Sequence, residues 1–198
     1  MVRVYWTEIP EQESSPKNQS KWAYRLFETV IQRQYPSIKK PVLLERDAKG
    51  KPFLPEYPGV HMNLSHSGRY VACAIGEGPV GVDIECQRSR KRPELVIKKF
   101  HPLEQRLYKE TEEENRERLF YDLWVMKESF MKAEGTGLGI PLDSFYMEEI
   151  HKGAGRVCQN LNDKNYCYML YHLENMPFSL AVCSEDCMLA EEPVFAEL

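Results

Sequence analysis

The stretch from Tyr121 to Leu138 constrains this chain more than any other. It reads as most of a long helix, from about Arg116 to Glu134, stopped by Gly135, Gly137 and Gly139. Glycine closes helices because it takes the left-handed conformation without a steric penalty. At about 100° per residue, Phe120, Trp124 and Met131 fall on one line and form an apolar stripe. Glu128 and Lys132 sit on the shoulder of that stripe, one turn apart. Removing a charge from water is costly unless something pairs with it. Two readings are open at this point: a solvated i,i+4 pair contributing about 0.2–0.5 kcal/mol, or a charged edge that borders a site.

Apolar runs upstream give that edge a counterpart. Tyr70–Ile75 and Val80–Glu85 read as strands, with Gly76-Glu77-Gly78-Pro79 as a hairpin turn between them. The two-residue period of a strand sends Val82 and Ile84 one way and Asp83 and Glu85 the other, so two carboxylates share a face. Alone, such a pair is common on an ordinary wet surface. Converging with Glu128, it would make a set of three carboxylates, which repel one another unless a divalent cation holds them ionised. An all-oxygen donor set suits a hard ion, and Mg2+ completes its shell with water and substrate phosphates. Lys132 and Lys127 would then balance phosphate charge beside the metal.

Elsewhere the chain alternates short elements. Val2–Trp6 reads as an opening strand, Glu8–Ser20 as polar and irregular, and Lys21–Gln34 as a helix carried by Trp22, Leu26 and Val30 and stopped by Pro36. Asp47–Pro52 is a tight turn, and His61–Gly68 a polar turn leading into the Tyr70 strand. Ser65 and His66 are chain neighbours without a Gly-x-Ser-x-Gly elbow, which argues against a hydrolase triad. Preceded by Gly50-Lys51-Pro52, this mixture of cation, hydroxyls and imidazole suits a phosphate-bearing ligand better than an acyl group. Gln87–Arg92 is a charged linker, Pro93–Phe100 and His101–Lys109 are helices, and Glu110–Glu114 is an exposed connection. After Pro141, Phe145–Ile150, Tyr166–His172 and Phe178–Ser184 read as strands, the last two joined at Glu174–Pro177, and the tail from Glu185 is expected to be ragged. A helix followed by an apolar hairpin thus occurs twice, and Tyr70–Ile75 echoes Phe178–Cys183. If this is a duplication, the chain is two α+β lobes, 1–80 and 81–198, with a cleft between them.

Composition removes several classes. A net charge of −4 and a pI near 5.8 argue against a general nucleic-acid binder. No apolar run approaches the ~18 residues of a membrane span, and the opening residues carry no signal-peptide core, so a cytoplasmic protein is expected. The six cysteines form no Cys-x-x-Cys and are expected to be reduced thiols. The five histidines form no His-x-x-x-His pair, which argues against zinc.

Taken in order, Gly50-Lys51-Pro52, Asn63-Leu64-Ser65-His66-Ser67-Gly68, Gly81-Val82-Asp83-Ile84-Glu85 and the run from Trp124 through Lys127, Glu128 and Lys132 to Leu138 make the chain resemble a 4′-phosphopantetheinyl transferase of the surfactin-synthetase-activating type. Pro141–Phe145 extends the likeness, which covers about Lys21 to Ser184. The resemblance implies an α+β fold of two similar lobes in a pseudo-two-fold arrangement, with coenzyme A and Mg2+ bound between them. It implies transfer of the phosphopantetheine arm of coenzyme A to a serine of an acyl or peptidyl carrier protein, releasing adenosine 3′,5′-bisphosphate. Carried over residue by residue, Asp83, Glu85 and Glu128 would hold Mg2+, and Lys132 would bind the pyrophosphate. Lys51, Ser65, His66 and Ser20 would meet the 3′-phosphate end of coenzyme A. Glu128, or a water on the metal, would take the serine proton.

Family members usually have a longer, more basic section before the first helix; here either coenzyme A is held less tightly at that end, or Lys17, Lys21 or Arg25 substitutes. Lys98, Lys99 and the Arg88–Arg92 run are either a solvated linker or contacts for an acidic carrier helix. A monomer is expected, because two lobes in one chain complete the cleft. Two other readings stay open: a binding module derived from such an enzyme, and a Mg2+-dependent phosphohydrolase.

Overall fold

Two helices, each laid across its own sheet, organise the chain. The computed structural model describes residues 1–88 and 92–198; Arg90 and Lys91 of the basic run lie outside them. The elements in order are β1 (Arg3–Glu8), α1 (Pro16–Gln34), β2 (Glu45–Arg46), β3 (Pro52–Phe53), β4 (His61–Ser67), β5 (Tyr70–Gly76), β6 (Val80–Cys86), α2 (Glu94–Ile97), α3 (Pro102–Glu110), α4 (Glu113–Glu134), β7 (Phe145–Met147), β8 (Ala154–Gln159), β9 (Tyr166–Tyr171), β10 (Phe178–Ser184) and β11 (Val194–Phe195). The first sheet runs β11-β1-β5-β4 and the second β6-β10-β9-β8-β7.

The internal echo is a repeat of topology. In the first half, strand β1 leads to helix α1 and then to the pair β4 and β5, with β5 returning to the middle between β1 and β4. In the second half, β6 leads to α4 and then to β9 and β10, with β10 returning to the middle between β6 and β9. Tyr70–Ile75 and Phe178–Cys183 are therefore the central strands of their two units. This is the α+β architecture of two similar lobes that the resemblance implies.

The alternating faces explain how the halves join. On β1, Val4 and Trp6 face the second sheet while Tyr5 faces α1. On β6, Val82 and Ile84 join the same shared core as Val4, Trp6, Leu180 and Val182, which leaves Asp83 and Glu85 on the opposite face. Trp6 meets Phe178 edge-on at 5.3 Å within this layer.

Five expectations are corrected. Tyr70–Ile75 and Val80–Glu85 are not a hairpin: β5 pairs with β1 and β4, and β6 pairs with β10, so Gly76–Pro79 crosses between sheets. The polar segment is a strand over His61–Ser67, its small side chains alternating across β4, and only Gly68 belongs to the turn. Helix α1 starts at Pro16, proline being well suited to a first helical position, so Ser20 stands inside the helix. The tail is ordered: Val2 donates its N–H to Met188, β11 pairs in parallel with β1, and Ala196 is buried. The tail also carries Cys187, which is bonded to Cys167 on β9, against the expectation of free thiols. Their Cα atoms are 5.1 Å apart, inside the range a disulfide spans.

Helix α4 is buried on most of its circumference, not along one stripe. It touches β6, β10 and β9 and also β7, at opposite edges of a five-stranded sheet. Flat, those edges would lie roughly 19 Å apart at about 4.8 Å per strand, wider than the 10–12 Å of a helix with its side chains, so the sheet curls around α4. Gly81 sets the closest approach: a Cβ there would lie 2.0 Å from the Ser129 carbonyl and 2.8 Å from Lys132 Cβ. Gly135, with φ 76°, ends the helix in the left-handed conformation. Among the described residues, no helix is long and apolar enough to cross a membrane.

Candidate active site

The open edge of β6 is closed by side chains instead of a neighbouring strand. Asn63, Ser65 and Ser67, pointing the same way from β4, accept the backbone N–H groups of Val82, Ile84 and Cys86 at 2.9, 3.3 and 3.1 Å. The carbonyls of that edge are met by two lysines: Lys51 donates to Val80 at 3.2 Å and Lys132 to Val82 at 3.2 Å. Unpaired backbone groups at an exposed edge invite foreign strands. Here the motif residues satisfy them and join the two sheets.

At the middle of this seam Lys132 places its ammonium 2.6 Å from Asp83 Oδ1, and Ser65 donates its hydroxyl to the same oxygen at 2.7 Å. Lys132 also donates to Ser65 Oγ at 3.1 Å. Asp83 is only 6% exposed, so two donors at one carboxylate oxygen are what make its charge tolerable there. Glu85 and Glu128 are half-buried nearby. Burial raises the Glu128 carboxyl above the usual range; Asp83 and Glu85 push it further up while Lys132 opposes them. Burial likewise raises Glu85, with Asp83 adding to the shift and Ser67, Lys132 and Arg88 opposing it. The three carboxylates are thus within one another's field. Among the described residues, however, no three Asp, Glu, His or Cys side chains are gathered closely enough to hold an ion. Lys132 and Ser65 compensate Asp83 without drawing the glutamates in.

The residues expected at the nucleotide end separate into two groups. Ser20 Oγ and His66 Nε2 face each other at 3.4 Å, both on exposed residues, where the first turns of α1 pass over β4. Burial lowers the His66 pKa, and the Lys132 ammonium lowers it further. Ser65, by contrast, is turned inward onto Asp83, and the Lys51 ammonium is bonded to backbone carbonyls. A cavity of about 510 Å3 opens beside Lys51, lined also by His61, Pro79, Glu134, Gly135 and Lys164. Lys17, Lys21 and Arg25 are all exposed on α1, and Arg25 lies 4.8 Å over the Trp22 ring.

Lys127 is placed away from the seam. It has no exposed surface, its ammonium lies 2.8 Å from Glu104, and it donates to the carbonyls of Leu142 and Phe145. Glu104 also accepts the N–H groups of His101 and Met147, so the pair ties α3, α4 and β7 together. One helical position separates Lys127 from Glu128, and that 100° rotation turns it away from the site. Sequence reading placed Asn63, Ser67 and Gly81 in motifs without assigning them a task, and it missed Glu104. The period-two run Asn63, Ser65, Ser67 was the available signal for a strand face.

With a seam of this kind carrying three carboxylates and a lysine, comparison with known proteins assigns the chain to a class. Residues 79–183 match the model of the 4′-phosphopantetheinyl transferase superfamily, and the chain belongs to that family. It is 37% identical over 163 residues to the 4′-phosphopantetheinyl transferase Sfp of Bacillus subtilis (strain 168), an alignment covering 80% of this chain and 70% of that protein. It is also 37% identical over 162 residues to the 4′-phosphopantetheinyl transferase ffp of Bacillus subtilis, covering 80% of this chain and 70% of the other. A third relative, an L-aminoadipate-semialdehyde dehydrogenase-phosphopantetheinyl transferase of Xenopus laevis, is 38% identical over 122 residues, 54% of this chain and 40% of its own length.

Proposed function

We propose that the chain transfers the 4′-phosphopantetheine arm of coenzyme A to a serine hydroxyl of an acyl or peptidyl carrier protein, with Mg2+ held by Asp83, Glu85 and Glu128. The observation that carries this is the position of Lys132, at the seam of the two sheets, among all three carboxylates. In the reaction the serine oxygen bonds to the phosphorus nearest the pantetheine, and the bond from that phosphorus to the bridging pyrophosphate oxygen breaks. Adenosine 3′,5′-bisphosphate leaves.

Each residue has a task set by its surroundings. Glu128, or a water on the metal, would accept the serine proton. Lys132 donates to the leaving phosphate, exchanging its bond to Asp83 for one to an incoming anion. Ser20 and His66, paired with each other on the exposed surface, would turn to the 3′-phosphate, with Lys17, Lys21 and Arg25 supplying positive charge along α1. The donor set fits Mg2+ by chemistry, since every candidate ligand is a carboxylate oxygen and their mutual repulsion is what a divalent ion relieves. When bound, that ion would neutralise charge on the pyrophosphate oxygens.

Apo carrier protein incubated with coenzyme A and Mg2+ should gain the mass of one phosphopantetheine on its serine, and chelation of the metal should stop the gain. No mass gain across several carriers would favour a binding module. Release of free phosphopantetheine without a carrier would identify a phosphohydrolase.

A monomer is proposed on the repeated topology, which supplies both sheets from one chain; a sedimentation experiment checks it. The lobes are proposed to divide at residue 80, beside the crossover Gly76–Pro79. A cytoplasmic placement is proposed as well, and it sits in tension with Cys167–Cys187, because reducing compartments rarely keep disulfides. Thiol labelling of protein taken directly from cells would decide it.

A further inference from the structure

Lys51 belongs to the glycine-lysine-proline turn, where Asp47 Oδ1 accepts the N–H groups of Lys49 and Lys51, each at 2.9 Å. From that fixed turn the side chain crosses to the other half of the molecule. Its ammonium donates to the carbonyls of Lys132 at 2.7 Å, Val80 at 3.2 Å and Ala133 at 3.4 Å. Lysine has three N–H donors and no acceptor. Three carbonyls take them all, and none is left for a phosphate.

The acceptors themselves show what the contact does. Lys132 and Ala133 lie in the last turn of α4, whose final carbonyls have no partners within the helix. Gly135 returns its N–H to Met131, and the next two carbonyls are met by Lys51. A cation at this end also suits the helix dipole. Val80, the third acceptor, begins the strand that carries Asp83. One ammonium therefore fixes the backbone of Lys132 to the start of the Asp83 strand, from a turn in the first half of the chain.

We propose that Lys51 is a positioning residue: it sets the Lys132 ammonium against Asp83 by clamping the last turn of α4 to β6, and it does not contact coenzyme A through its own ammonium. The proposal rests on the transferase reading of the site. Its consequence is kinetic, because a shift of about 1 Å in a catalytic group can lower a rate on the order of a hundredfold without altering ground-state binding.

Three measurements test it, two of which do not depend on transfer. Amine acylation of the wild-type protein should leave Lys51 protected both with and without coenzyme A, while exposed lysines such as Lys17 react. Protection appearing only when coenzyme A is added would overturn the proposal. Lys51→Met should speed amide hydrogen exchange in residues 132–135, and unchanged exchange there would also overturn it. In transfer assays Lys51→Met should lower kcat by about ten- to a hundredfold, leave KM for coenzyme A and the preference for it over 3′-dephospho-coenzyme A unchanged, and be largely rescued by Lys51→Arg. A raised KM with that preference erased would instead make Lys51 a phosphate ligand. Failure of wild-type transfer would sink the transferase reading alone, because the labelling and exchange results would still stand.

Discussion

Lys132 and Asp83, 49 residues apart in sequence, meet at 2.6 Å across the gap between helix α4 and strand β6. The pairing is possible because Gly81 lets the helix lie directly on the strand two residues before Asp83. It keeps a nearly buried carboxylate paired, and under the proposed transfer it would hold a cation ready for the incoming phosphate. Ser65, donating to the same carboxylate oxygen, brings the first half of the chain to this contact.

Lys132→Met should therefore have two separable effects. Transfer should fall about 10²–10³-fold, the range for losing a group aimed at transition-state charge. The free protein should lose about 1–3 kcal/mol, because Asp83 keeps only its Ser65 partner. Steady-state kinetics reads the first and denaturant unfolding the second. Near-normal turnover would remove Lys132 from the chemistry.

Glu128→Gln acts in the opposite sense on stability. Glu128 is half-buried and stands in the field of Asp83 and Glu85, so a neutral amide relieves repulsion while keeping the shape. The variant should melt at or above the wild-type temperature without metal and show no transfer. Added Mg2+ should raise the melting temperature of the wild type, as any ligand of the folded state does, and leave the variant unmoved. An equal Mg2+ shift in both would place the ion elsewhere.

The helix α4, the faces of β6 and the repeated unit were legible because each rests on local periodicity. Asp83 and Glu85 had to oppose Val82 and Ile84 in any strand, and Gly135 had to end the helix. Partnership between strands was not legible: Gly76–Pro79 has the composition of a hairpin turn, yet β5 and β6 find better-matched apolar neighbours in β1 and β10. Lys127 was misplaced for a related reason. Adjacent helical residues point 100° apart, and only tertiary packing reveals that Glu104 waits on its side. Ser65 and Lys51 lie in motifs that suggest a ligand, but a motif does not show whether its polar atoms face outward or close a strand edge.

Asp122 offers a test of burial by pH. It is 6% exposed and accepts a hydrogen bond from Ser179 at 2.5 Å, yet burial raises its pKa above the ordinary aspartate value, with Ser179, His172 and Arg118 only partly opposing. A raised folded-state pKa means that the folded chain holds its proton more tightly than the unfolded chain. The resulting stability is present below the ordinary value, about 3.9, and is lost as pH rises through the folded one. Asp122→Asn removes that loss, so its melting temperature relative to wild type should climb as pH rises from about 4 towards neutrality. A difference that stays constant across this range would show that Asp122 is not the titrating group.

The disulfide gives the last prediction. Cys167 on β9 holds Cys187, 20 residues on, at the start of the segment that runs beside Val2 and ends as β11 on the first sheet. The tail is thus fixed at one end to the second sheet by a covalent bond and at the other to the first sheet by hydrogen bonds. Tyr171 adds a bond from its hydroxyl to Ala190 at 2.8 Å. Closing a loop of this length restricts the unfolded chain and is worth about 3 kcal/mol. In a domain of this size that corresponds to a melting temperature roughly 6–12 °C higher. Cys167→Ser, or reduction of the wild type, should lower the melting temperature by that amount and open residues 185–193 to proteolysis. The β4–β6 seam does not include the tail, so transfer measured well below the melting temperature should be retained. Loss of transfer on reduction, with the fold intact, would show that the tail sets the angle between the two sheets and through it the distance between Lys132 and Asp83.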